Sequence, residues 1–148
     1  MDIKIMSLEE ALVHVPTQPT YAIRIKWTRI YRGGKDPDET FGELQPSPLY
    51  TIRTYSFDDV CFSGSQDEEG SGEDRSGITR EIADEIVRDF AIAGCSKEVL
   101  LVHCVAGVSR SPAVAMALND IFHLGVRSRM LAEKYPSYNK FVYRMFFP

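Results

Sequence analysis

One stretch of the chain combines side chains that can do covalent chemistry. His103-Cys104-Val105-Ala106-Gly107-Val108-Ser109-Arg110-Ser111 carries a thiol and, six residues on, a guanidinium, with Pro112 directly after. A cysteine near a helix N-terminus and an arginine is biased toward thiolate, the nucleophilic form. Arg110 can grip two non-bridging oxygens of a phosphate with its planar fork, which a lysine ammonium cannot do. Ser111 stands close enough in sequence to hydrogen-bond the sulfur and to help it depart as a leaving group. The chemistry this set predicts is phosphoryl transfer to Cys104 through a thiophosphate intermediate.

Those side chains need a strand, a tight loop and a helix start to hold them. Val99-Leu100-Leu101-Val102 is an apolar run of the kind a short buried strand uses, and Ala113 to Leu118 has the composition of a buried helix. Between them the backbone amides of Val105, Ala106, Gly107, Val108, Ser109 and Arg110 can curl inward. The first-turn amides of the helix lack intrahelical partners, so loop and helix together form a concave anion site. Pro112 suits the first turn, where its missing N–H and fixed φ cost nothing.

The Cys-five residues-Arg spacing, preceded by His103 and followed by Ser111, resembles the signature loop of the cysteine-based protein tyrosine phosphatase superfamily. The pattern Gly107, Ser109-Arg110-Ser111 and the short chain are most similar to its small dual-specificity-like branch. Tyr135-Pro136-Ser137-Tyr138-Asn139-Lys140 through Arg144 also resembles the C-terminal part of bacterial, archaeal and viral members. The resemblance implies a single α/β domain over residues 1–148, with a central, mostly parallel sheet of four to five strands flanked by helices. The loop would lie at the carboxyl end of a central strand, where such sheets place ligands. In this family an aspartate after a strand acts as general acid. A phenolate or alkoxide leaves poorly until protonated, and the same carboxylate can then activate water.

Leu49 to Phe57 reads as a strand and ends in Asp58-Asp59. By the family's position Asp59 is the acid and Asp58 a capping or loop-holding residue, although the two could exchange roles. The interval from Asp59 to Cys104 is longer than in many compact members, and Asp74 lies nearer the usual separation. The surplus is an acidic, glycine- and serine-rich segment, 63–77, read as a flexible loop insertion. Asp74 follows no strand, so Asp59 keeps the assignment. His103, adjacent to the nucleophile on a strand end, should point to the opposite face and serve as a strut for the loop. His14 and His123 fall on expected helices without an acid or thiol partner in spacing.

The remaining elements are legible from pattern. Ile3-Lys4-Ile5 alternates as a strand. Ser7 and Glu10 form a capping box for a helix reaching Val15 before Pro16. Tyr21 to Trp27 alternates as a strand with one wet face. Residues 28 to 48 are irregular, and Arg29, Arg32 and Lys35 within them read as a solvated loop that could border the site. Thr79 caps a helix whose Ile78, Ile82, Ile86 and Phe90 face the core, with Gly94 at its end. The helix after the loop carries Val114, Leu118, Ile121 and Phe122 and stops near Gly125. Helices follow at Ser128–Lys134 and after Ser137, the latter with Phe141, Val142, Met145 and Phe146 as a core stripe.

A net charge of −4 argues against a nucleic-acid partner. No apolar stretch has the length of a membrane span and no signal-peptide pattern opens the chain. The three cysteines lack metal-ligand spacing, and thiolate, arginine and backbone amides already supply nucleophile and charge stabilisation, so the reaction needs no metal and no cofactor is expected. Cys61 and Cys95 are read as structural thiols and the compartment as reducing and cytoplasmic. The expected partner is a phosphorylated protein or peptide, met by a monomer. Three alternatives stay open: a phosphoprotein-binding module with little turnover, a phosphatase of RNA 5′-phosphate or phosphoinositide, and arsenate reduction. No lysine stands inside the loop to favour an inositol phospholipid, no broad basic stripe favours RNA, and no relay cysteine is advertised.

Overall fold

The computed structural model describes residues 1–28, 41–61 and 76–148. Four strands, β1 (Asp2–Met6), β2 (Thr20–Lys26), β3 (Tyr50–Ser56) and β4 (Val99–His103), pair in the order β1-β4-β2-β3, every pairing parallel. Among the described residues five helices accompany them: α1 (Leu8–Val13), α2 (Arg80–Ala93), α3 (Arg110–Phe122), α4 (Ser128–Lys134) and α5 (Lys140–Met145). The α/β class and the flanked parallel sheet match the expectation, with four strands among the described residues.

Parallel strands must be joined by crossovers, which lay helices on both faces and bury the strands between them. On one face Tyr21, Ile23, Ile25, Leu100 and Val102 pack with Ile86 and Phe90 of α2, Val114 and Leu118 of α3, and Val142 of α5. On the other, Ala22 and Leu101 meet Ala11 of α1 and Leu44. This corrects the expectation of a wet face on the second strand, since residues 20–25 are all buried. Alternation there separates two dry faces, and the polar member, Arg24, is 5% exposed. The all-buried strand β4 and the helix α3, buried from Arg110 through Asn119, hold the loop between them at the carboxyl end of β4.

Several element ends differ from expectation for local reasons. The capping box at Ser7 and Glu10 forms, but α1 stops at Val13, and Val15 is exposed. His14 and His123 sit just past helices as C-caps, His123 in the left-handed region at φ 54°. The N-cap of α5 is Asn139 in place of Ser137, because the Asn139 carboxamide oxygen accepts from Val142 N–H. Thr79 and Gly94 bound α2 as expected. Of the acidic segment, residues 63–75, including Asp74, lie outside the described residues, as do Arg29, Arg32 and Lys35. Ser76 and Gly77, its last two residues, are buried, and the Ser76 carbonyl accepts from Asp58 N–H at 2.7 Å.

Candidate active site

The loop after β4 turns on Gly107. Its φ of +76° disfavours any side chain, and a Cβ there would stand 2.6 Å from the Ser7 nitrogen. The loop therefore rests directly on the β1–α1 junction, where Leu8 N–H also donates to the Val105 carbonyl at 2.9 Å. The capping box that turns the chain into α1 thus lies under the loop, joining an N-terminal helix start to the geometry of Cys104.

Cys104 is 2% exposed, and its sulfur has two partners. Gly107 N–H donates to Sγ at 3.2 Å, and Ser111 Oγ lies 3.2 Å away. Ser109 occupies the N-cap of α3, yet its hydroxyl makes no capping bond and reaches Asp59 instead. The first-turn amides of a 13-residue helix are thereby left without a side-chain cap beside the sulfur.

Arg110 is buried, and one end of its guanidinium is tied down. Nη1 donates to the Phe57 carbonyl at 2.7 Å and lies 3.5 Å from that of Lys26. The carboxyl ends of β2 and β3 thus hold the fork, whose other N–H groups make no hydrogen bond among the described residues. A cavity of about 260 Å³ opens over the loop, lined by Cys104, Val105, Ala106, Val108, Ser109 and Arg110, with Trp27, Asp58 and Asp59 across from them.

The two aspartates are divided by their partners. Asp58 is 3% exposed, and its carboxylate is consumed by Thr28: Oδ1 accepts from the backbone N–H at 2.8 Å and Oδ2 from the hydroxyl. It ties the end of β2 to the loop after β3. Asp59 is exposed at the cavity, and its Oδ1 accepts from Ser109 Oγ at 2.8 Å and Asn139 Nδ2 at 2.7 Å. Its Oδ2 makes no hydrogen bond among the described residues.

His103 is fully buried. Arg24 Nε donates to His103 Nε2 at 2.9 Å, and a guanidinium nitrogen can only donate. The proton must then sit on Nδ1, which donates to the Cys104 carbonyl at 3.0 Å. Burial, seconded by the positive charges of Arg24 and Arg110, pushes the imidazole down to about 4, against the hydrogen bond to Cys104. The ring is a neutral strut with one tautomer, fixed from below. Arg24 is held in turn by the Gly42 carbonyl at 3.0 Å and by the Phe41 ring, 4.7 Å from its Cζ, and Phe41 stacks on His103.

Loop, thiol, arginine, serine and Asp59 are all brought together. Arg24, Thr28, Trp27, Phe41 and Asn139 are additions that sequence reasoning missed. A charged residue alternating inside an apolar strand was the available sign for Arg24. An asparagine at capping distance from Val142 was the sign for Asn139. Cys61 and Cys95 are free and exposed, which corrects their reading as structural thiols. Neither contributes to the core. Among the described residues no group of three His, Cys, Asp or Glu side chains is placed to hold a metal ion, and no helix is long and apolar enough to cross a membrane.

No family model and no curated protein matches the chain. Solved structures do. OH1 from the Orf virus aligns over 98% of this chain and 77% of its own, with 15% identity and a TM-score of 0.48. OH1 is a tyrosine phosphatase. It displays distinct structural features and triple substrate specificity. Tk-PTP in its active form aligns over 98% of this chain and 87% of its own, with 16% identity and a TM-score of 0.46.

Proposed function

We propose that the protein is a metal-independent phosphatase that hydrolyses phosphotyrosine, and also phosphoserine or phosphothreonine, through a phosphocysteine intermediate. The observation that carries this reading is the environment of one atom. Cys104 Sγ sits between Gly107 N–H and the Ser111 hydroxyl at the uncapped start of α3, at the floor of a cavity that Arg110 and Asp59 also line.

In the first step Cys104 Sγ attacks phosphorus. The S–P bond forms as the bond from phosphorus to the ester oxygen breaks, and Asp59 gives its proton to that oxygen. The loop amides and the free face of the Arg110 guanidinium bind the three equatorial oxygens, whose charge they balance without a metal. In the second step water attacks phosphorus, its proton returns to Asp59, and the S–P bond breaks to release sulfur and inorganic phosphate. Ser111 stabilises the departing sulfur by hydrogen bonding. Asp58 holds the acid loop in place, and His103 holds the Cys104 carbonyl.

The cavity wall supports an aryl ester. Val105 and Val108 are 39% and 47% exposed on the loop itself, and Trp27 stands opposite. An aromatic ring above the phosphate would cover apolar surface there. The substrate is proposed to be a phosphorylated protein or peptide met in the cytoplasm by a monomer.

The test is hydrolysis of para-nitrophenyl phosphate against pH, with thiol reductant and chelator, for wild type, Asp59→Ala and Asp58→Ala. Asp59→Ala is expected to lower kcat by roughly 100-fold or more and to flatten the basic limb, while Asp58→Ala weakens folding. A loss confined to Asp58→Ala would exchange their roles. Binding of a phosphopeptide without turnover by wild type would make the domain a binding module.

A further inference from the structure

Asn139 lies 80 residues from Asp59 in sequence and belongs to no part of the phosphate loop, yet it joins three segments at the cavity rim. The side chain is 3% exposed. Its Oδ1 accepts from Val142 N–H at 2.9 Å, and because a backbone N–H can only donate, this contact fixes which end of the amide is oxygen. Nδ2 then faces two acceptors, Asp59 Oδ1 at 2.7 Å and the Val60 carbonyl at 2.9 Å. Asn139 N–H donates to the Ser109 carbonyl at 3.0 Å, and the Ser109 hydroxyl donates to the same Asp59 oxygen at 2.8 Å. The helix cap, the acid loop and the phosphate loop share one side chain.

We propose that Asn139 is a positioning residue for the general acid: it clamps Asp59 by Oδ1 and thereby assigns the transferable proton to Oδ2. Both amide hydrogens are committed, and Nδ2 cannot accept a hydrogen bond. A proton on Asp59 Oδ1 would face that donor head-on, so the protonated carboxyl carries its hydrogen on the other oxygen. Ser109 supplies the second donor to Oδ1. Nδ2 to Val60 prevents the acid loop from lifting off the rim. This inference rests on the proposed reading of Asp59 and adds to it a residue that touches neither phosphate nor sulfur.

The experiment compares two substrates that differ in how much they need an acid. Para-nitrophenyl phosphate has a good leaving group, and phenyl phosphate a poor one. Asn139→Ser keeps a capping oxygen for Val142 N–H but removes both Nδ2 donors. It is expected to lower kcat for phenyl phosphate by about tenfold or more and for para-nitrophenyl phosphate several times less, with a melting temperature near wild type. In an Asp59→Ala background the same substitution should have no further effect on either substrate. Asn139→Asp, which also preserves the cap but places a second carboxylate beside Asp59, should show the same leaving-group split.

Equal losses on both substrates, or a loss that multiplies with that of Asp59→Ala, would mean that Asn139 acts only through folding, and would overturn the proposal. The two failures are separable. If Asp59→Ala itself shows no leaving-group dependence while Cys104→Ser is inactive, the acid assignment falls and the clamp with it, but the phosphatase reading stands. If wild type turns over neither substrate, the phosphatase reading falls as well.

Discussion

The neutral, buried His103 makes stability depend on pH in a calculable way. The perturbation is acidification from pH 7.5 to 5.0. In the unfolded chain an imidazole titrates near 6.5, whereas in the fold it is held down to about 4. The unfolded state therefore binds the additional proton first, and stability rises with pH across the interval. The contribution is complete above 6.5, declines as pH falls, and is fully lost near 4. At about 1.4 kcal/mol per pH unit the whole interval amounts to roughly 3 kcal/mol, of which about 2 kcal/mol is lost by pH 5.0. That is a large part of the 5–15 kcal/mol typical of a domain. His103→Gln supplies the comparison, since its amide can accept from Arg24 and donate to the Cys104 carbonyl without titrating. Urea unfolding of both proteins at the two pH values measures the difference, with the carboxylates and His14 common to each. Wild type should lose about 2 kcal/mol more than the variant. Parallel losses would refute the claim that His103 is folded in a neutral state.

Three further outcomes follow from the site. Gly107→Ala forces a side chain into the left-handed region against the Ser7 backbone, and should cost about 1–3 kcal/mol, read from the denaturant midpoint, with loss of turnover as the loop is displaced. Ser111→Ala removes the hydroxyl 3.2 Å from the sulfur. It should slow breakdown of the intermediate more than its formation, which stopped-flow would show as a burst of para-nitrophenol followed by a slower steady state. Arg24→Met leaves His103 Nε2 without its donor, and should cost about 1–3 kcal/mol; nitrogen NMR should then show mixed imidazole tautomers in place of a single Nδ1-protonated form.

What could be read from the sequence was local. The strand, glycine turn and helix start around Cys104 are contiguous, and each imposes its own residue types, so thiol, loop amides and arginine stand together within nine residues. The capping box at Ser7 was equally legible, but its position beneath Gly107 was not, because nearly a hundred residues intervene. Arg24 was hidden for a related reason. Alternation shows that a strand has two faces, and only the packing of α1 and of residues 41–44 shows that the second face is dry. Asn139 and Ser137 are both capping types two residues apart; Asn139 is the one that meets Val142 N–H, and its second contact, with Asp59, lies far away in the chain. The two aspartates stand side by side in sequence, and what sets them apart, Thr28 on Asp58 and Ser109 with Asn139 on Asp59, is connected to them by no spacing rule.

The central claim is that phosphoryl transfer passes through Cys104. Rapid acid quench of the protein during turnover of para-nitrophenyl phosphate, followed by peptide mass analysis, tests it directly. One phosphoryl group is expected on the peptide containing Cys104, accumulating further in Ser111→Ala and absent, together with all turnover, in Cys104→Ser. Turnover that survives Cys104→Ser, or a phosphoryl group carried by any other residue, would contradict it.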